Sequence, residues 1–119
     1  MKKINIVKEN RDFSKIMNQT KPYRTHAFLI FVNYNTNSNY RFGISISKKI
    51  GNAVVRNKLK RQIKDIIDKK DYQNNFDCII ILKEGVKKED YHSLKNMLDE
   101  AFKHLHLYKG DVDENKKLF

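Results

Sequence analysis

A chain of 119 residues carrying 25 Lys and Arg against 14 Asp and Glu, a formal net charge of +11, has room for one modest hydrophobic core. It is too short for separate binding and catalytic domains. The 39% hydrophobic content, with seven Phe and six Tyr, excludes an intrinsically disordered chain, and the positive field favours phosphate backbones over basic partners. No apolar run approaches the ~18 residues of a membrane span, and Met1-Lys2-Lys3-Ile4 does not lead into the apolar core of a signal peptide, so a cytoplasmic location is expected. The single cysteine, Cys78, excludes an intramolecular disulfide or a multi-cysteine zinc site. Its place in Cys78-Ile79-Ile80-Ile81-Leu82 predicts a buried structural thiol.

In chain order, Asn10 is placed to cap a short helix whose apolar face is Phe13, Ile16 and Met17. Pro22, the only proline, breaks it, and Ala27-Phe28-Leu29-Ile30-Phe31-Val32 predicts a central strand buried on both faces. After the polar stretch from Asn33 to Asn39, Tyr40 to Ser47 alternates apolar and polar with period two, so the two runs suggest an antiparallel hairpin. Gly51-Asn52 offers a turn and a cap for a helix to about Asp68, with Val55, Leu59, Ile63, Ile66 and Ile67 on its apolar face. Gln73 to Phe76 reads as a polar connection, Asp77 to Leu82 as a second apolar strand closed by Lys83-Glu84-Gly85. The last helix is expected over Lys88 to Leu107, where Tyr91, Leu94, Met97, Leu98, Ala101, Phe102 and Leu105 keep helical spacing. The pattern is α+β: one layer of mainly antiparallel sheet with helices packed on it, a single domain over 1–109 and a frayed tail over 110–119.

The segment from Ser47 to Lys64 places seven basic residues on a turn and helix with no acid among them. Advancing about 100° per residue from Val55 gathers Asn57, Lys60, Arg61 and Lys64 on the arc opposite the apolar one. Many helices have a solvated Lys-rich face, but these cations lack the i, i+4 acids that stabilise such a face. Lys48, Lys49 and Arg56 carry the charge to the helix N-terminus, where it opposes the macrodipole and an anion would relieve it. That combination points to nucleic acid. Asn52 reads most simply as a helix cap and Asn57 as a solvated polar residue.

The string Lys48-Lys49-Ile50-Gly51-Asn52-Ala53-Val54-Val55-Arg56-Asn57-Lys58-Leu59-Lys60-Arg61 resembles the "RNR" signature of the protein subunit of bacterial ribonuclease P, with Lys58 in place of the last Arg. A weaker likeness extends through Asp12-Phe13, Phe28 to Phe31 and Gly43-Ile44-Ser45-Ile46-Ser47, covering roughly residues 8–107. The resemblance implies an α-β-β-β-α-β-α order with a left-handed crossover, against the usual hand. It implies a catalytic RNA as partner, and precursor tRNA as substrate whose 5′ leader the holoenzyme removes. Mg2+ would be bound by the RNA, with no cofactor held by the protein and no obligate protein partner. Carried over by position, Lys48, Lys49, Asn52, Arg56, Asn57, Lys58, Lys60, Arg61 and Lys64 would face the RNA, and Phe13, Met17 and Phe31 would line a leader cleft. Met17 stands where the family usually has an aromatic and Phe31 where Tyr is common, so base stacking is expected to be weaker. Lys58 and Lys64 replace frequent Arg, losing the planar two-pronged contact.

No nucleophile, metalloprotease or phosphate-loop motif is present, so the protein alone is expected to be inactive. His104 and His106, placed on one helix, would point apart, and the clusters Asp65, Asp68, Asp71 and Asp111, Asp113, Glu114 read as solvated acids. A small ribosomal protein is the competing reading, and a helix reading duplex DNA a weaker one, since Lys rather than base-edge readers dominates the exposed face.

Overall fold

Helix α1 (Asn10–Gln19) is followed by strands β1 (Tyr23–Arg24), β2 (Phe28–Tyr34) and β3 (Arg41–Ile46), helix α2 (Ala53–Asp68), strand β4 (Phe76–Leu82) and helix α3 (Tyr91–His104) in the computed structural model, which describes residue 2 and residues 5–34 and 39–110. Short 3₁₀ turns, Lys48–Ile50 and Glu84–Lys88, lead into α2 and α3. The expected α-β-β-β-α-β-α order is present, including the two-residue β1 that residue patterns alone do not reveal.

The strand order is β1-β2-β4-β3. β4 lies antiparallel to β2, from Phe28 opposite Leu82 to Tyr34 opposite Phe76, and parallel to β3, from Arg41 opposite Asp77 to Ile46 opposite Leu82. The expected hairpin between the β2 and β3 runs is therefore corrected: they point in opposite directions, but β4 is inserted between them. The physical reason is burial, since Phe76, Asp77, Cys78, Ile79 and Ile80 are all buried. A strand covered on both faces is best satisfied when both edges are also paired. The parallel pairing makes α2 a crossover helix between β3 and β4.

Period-two alternation sends the strands' side chains into two cores. One face sends Phe28, Ile30, Val32, Phe42, Cys78, Ile80 and Leu82 against Leu59, Ile63, Ile66 and Ile67 of α2 and Leu94, Leu98, Ala101 and Phe102 of α3. The other sends Leu29, Phe31, Ile79 and Ile81 against Val7 and against Phe13, Ile16 and Met17 of α1. The helices thus cover opposite faces of one sheet, α1 alone on its side.

Four local expectations are corrected. Asn10 is the first residue of α1 and not its cap; Glu9 holds the cap position without a side-chain bond, its carbonyl accepting from the Asp12 and Phe13 amides. Phe76 belongs to β4 and is fully buried, so the polar connection ends one residue earlier. Val55 leaves the apolar face: it is 38% exposed and its neighbour Val54 76%, its side chain lying against Gly51 ahead of the helix and not in the core. Helix α3 begins at Tyr91 with the Asp90 carboxylate accepting from the Ser93 amide, and ends at His104. The chain then turns through His106, whose φ of 57° is left-handed, and delivers Leu107 to the core. His104 and His106 accordingly do not share the helix. Residues 111–119, with Asp111, Asp113 and Glu114, lie outside the described residues.

Cys78 is wholly buried, and burial pushes its thiol well above the ordinary cysteine range. Reaction with a disulfide reagent should therefore track global unfolding, appearing in step with loss of helical circular dichroism in urea. Stoichiometric labelling of the native protein within minutes would contradict this packing.

Candidate nucleic-acid interface

Helix α2 is held by local bonds that leave its cations outside. The Ser47 hydroxyl accepts from the Lys49 amide at 3.2 Å, Ile50 is buried, and Asn52 Oδ1 accepts from the Val55 amide at 3.0 Å. Asn52 is thus the cap expected of it, satisfying one of the orphan donors of the first turn. From this frame Lys48, Lys49, Asn57, Lys58, Lys60 and Arg61 are exposed and Lys64 is half-buried. Among the described residues no ion pair includes any of the seven cations from Lys48 to Lys64. The contrast begins one residue later: Asp65 pairs with Lys69 at 3.1 Å and accepts a hydrogen bond from the Tyr91 hydroxyl. Both contacts hold its carboxyl below the usual range, Tyr91 more strongly.

Beside this helix a cleft of about 510 Å³ runs between α1, β3 and α2. Phe13, Ser14 and Met17 line one wall; Ile44, Ser45, Ile46 and Ile81 form the floor; Arg56, Asn57 and Lys60 form the other wall. It exists because β3 ends the strand order and, beyond Arg41, turns only the small residues Gly43 and Ser45 toward the α1 side. Phe13 occupies the space so released: a Cβ on Gly43 would stand 2.7 Å from Phe13 Cζ, inside van der Waals contact. On the opposite wall Arg56 Nε is buried and has no hydrogen-bond partner among the described residues. A buried donor of this kind calls for an acceptor that the described residues do not supply.

The α1 wall is tied to the sheet by charge. Arg41 donates from Nε and Nη2 to the two oxygens of Asp77 at 2.8 and 2.7 Å, and its Nη1 lies 3.7 Å from Asp12. Hydrogen bonding to Asp77 raises the guanidinium pKa further. Asp12 immediately precedes Phe13, so the clasp sets the first turn of α1 beside the cleft. Sequence reasoning missed it, as it missed Asn10, Ser14 and Ser45 in the lining. An acid inside an otherwise apolar strand was the available signal, but its partner follows only from the β3 and β4 register.

Of the predicted residues, the structure brings Phe13, Met17, Arg56, Asn57 and Lys60 together around one cleft. Phe31 is not among the lining residues. It is buried beneath α1 with Ile16 and Ile79, since β2 lies one strand farther from the cleft than β4. Lys58 departs in the other direction, to a second groove on the far flank of α2. Among the described residues no group of three or more His, Cys, Asp and Glu side chains is placed to hold a metal ion, and no helix is long and apolar enough to cross a membrane.

The family model described as ribonuclease P matches residues 1–106. The ribonuclease P protein component of Mycoplasma mycoides subsp. mycoides SC is 37% identical over 108 residues, covering 88% of this chain and 99% of its own length. That of Streptococcus mutans serotype c is 32% identical over 118 residues, covering 98% of this chain and 99% of its own. The solved structure of the Staphylococcus aureus RNase P protein is similar at a TM-score of 0.79 and 30% identity, over 88% of this chain and 98% of that one. These likenesses span both the cationic helix and the cleft, and they set aside the ribosomal-protein reading. The chain belongs to the ribonuclease P protein family, whose members are the protein components of a ribonucleoprotein endoribonuclease that matures the 5′ ends of tRNA.

Proposed function

We propose that α2 docks this chain onto the catalytic RNA of ribonuclease P while the cleft holds the 5′ leader of precursor tRNA. The observation that carries this reading is the meeting of two features on one helix: a cationic face without ion-pair partners, and Arg56, whose unpartnered buried Nε lies at the wall of a cleft lined by Phe13 and Met17. A single strand needs cations along its backbone and an aromatic face for its bases, and the two cleft walls supply them. Lys48, Lys49, Asn57, Lys60, Arg61 and Lys64 neutralise RNA phosphates; Arg56 serves both surfaces. Asn52 acts through the cap, holding the turn that presents Lys48 and Lys49.

In the reaction, water adds to the phosphorus at the leader junction and the leader departs through its 3′ oxygen, leaving the phosphate on the tRNA 5′ end. The Mg2+ chemistry of that step is assigned to the RNA. This chain contributes by binding and orientation: it anchors the leader, so that the junction is held at the RNA's reactive centre. The reading carries with it a cytoplasmic location, where precursor tRNA is transcribed in bacteria.

The test is leader dependence. Reconstituted with a bacterial ribonuclease P RNA, the protein should raise precursor cleavage at low Mg2+. Phe13→Ala should weaken holoenzyme binding to precursor tRNA by roughly five- to a hundredfold, the span of one lost base stack, and leave mature tRNA binding unchanged. Equal losses for both tRNAs, or failure of the wild type to stimulate the RNA, would overturn the assignment.

A further inference from the structure

The flank of α2 that faces away from the cleft carries a second groove, of about 420 Å³, between the first half of α2 and the Glu84–Lys88 turn with the start of α3. Its apolar lining is Val55, Leu59 and Val86, with the Tyr91 ring; Lys58 and Lys87 stand at its rim. Leu59 and Val86 are buried parts of the core, whereas Val55 packs against Gly51 and is more than one-third exposed. Both rim lysines are exposed, and among the described residues neither has an ion-pair partner. The groove's two acids are already engaged: Glu89 Oε1 lies 2.5 Å from His26 Nε2, and Asp90 accepts from the Ser93 amide at 2.8 Å as the cap of α3. The two rim lysines are therefore the charged groups of this groove still without a partner among the described residues, beside an apolar seat.

We infer that this groove takes an unstacked nucleotide of the catalytic RNA, its base against Val55 and Tyr91 and its phosphates between Lys58 and Lys87. The inference rests on the proposed docking of α2 onto that RNA and extends it: α2 becomes a ridge gripped on both flanks, with leader on one side and catalytic RNA on the other. Continuity decides for RNA over a protein segment. The groove shares its helix with Arg56, Lys60, Arg61 and Lys64, so an RNA lying on that face passes the rim of the groove. It also accounts for the side of α2 on which Lys58 falls, away from Asn57 and Lys60. An apolar face with cations at its margin is the chemistry that single-stranded RNA recognises.

The experiment measures binding of full-length protein to the catalytic RNA without tRNA, for the Lys58→Ala, Lys87→Ala double variant, for Val55→Asp, and for a Lys60→Ala, Arg61→Ala control. The groove variants should each weaken RNA binding by roughly five- to a hundredfold. The ratio of precursor to mature tRNA affinity in the reconstituted holoenzyme should stay at the wild-type value. A hydroxyl-radical probe attached to Lys87→Cys should cut the RNA at nucleotides different from those cut from Lys60→Cys. Loss of binding in the control with wild-type binding in both groove variants, and no cuts from position 87, would overturn this inference alone. Wild-type binding in all three would overturn the docking of α2 with it. A concentration-dependent dimer of the free protein, dispersed by Val55→Asp, would assign the groove to a second copy and also overturn it.

Discussion

Phe42→Ala should destabilise the protein by about 3–5 kcal/mol, the cost of removing a fully buried phenyl group and leaving a cavity. Phe42 is the hub of the larger core. Its ring centroid lies 4.9 Å from Tyr72, 5.5 Å from Phe76, 5.6 Å from Phe102 and 5.9 Å from Tyr40, mostly edge-on or tilted. These neighbours come from β4, α3 and the segments before β3 and β4, so the deletion loosens contacts between elements far apart in sequence. Collapse around the void is restricted because Tyr72 is itself fixed by donating its hydroxyl to the Ile67 carbonyl at 2.7 Å. A single domain of this size has a total stability of about 5–15 kcal/mol, so the variant retains a reduced margin and its melting temperature should fall by roughly 10–25 °C. Phe42→Leu, which keeps most of the volume, should lose about half as much or less. Urea denaturation of the three proteins at equal m-value decides the matter. A change below about 1 kcal/mol for Phe42→Ala would show that the aromatic cluster does not depend on its central ring. Phe42 also precedes Gly43, on which Phe13 is seated, so hydrogen exchange in β3 should accelerate along with the loss of stability.

What was legible in the sequence was local. Asn52 before an amphipathic run specifies a cap and a helix within four residues, and both are found; the run from Lys48 to Lys64 lacks acids, and among the described residues none of its cations forms an ion pair. The apolar strands were equally visible in Ala27 to Val32 and in Cys78 to Leu82. Pairing was not, because the choice between a β2 and β3 hairpin and the insertion of β4 depends on residues more than 30 positions apart. Alternation in Tyr40 to Ser47 reports which side chains share a face and nothing about the neighbouring strand. The same non-locality hid the clasp of Arg41 with Asp77 and Asp12, and the packing of Phe31 with Ile16 and Ile79 beneath α1. Val55 shows the converse limit: helical spacing puts it with Leu59, but spacing cannot tell where along a helix its partners end. The cleft, built from three elements and floored by Ser45 where a larger residue would fill it, has no signature in any one of them.

The charge on α2 makes the second large prediction. If about five of its cations each neutralise one RNA phosphate, log affinity for the catalytic RNA should fall with log salt at a slope of roughly −4, given about −0.7 to −0.9 per contact. Raising salt from about 50 to 200 mM would then cost the wild type on the order of 250-fold in affinity. Replacing Lys60 and Arg61 together by Ala removes two contacts, flattening the slope by about 1.5 and cutting that loss to roughly 30-fold. Lys103 supplies the control, because it carries the same charge on α3 but is paired with Asp99 at 3.2 Å, one helical turn away. Lys103→Ala reduces the net charge by one yet should leave the slope unchanged, since a lysine held by its own acid releases no counterion on binding. Long-range attraction by the overall charge of +11 would make every lysine count alike. A slope lowered equally by the α3 variant, charge for charge, would mean that RNA senses the protein as a diffuse cation and that the ordered face of α2 is not its docking surface.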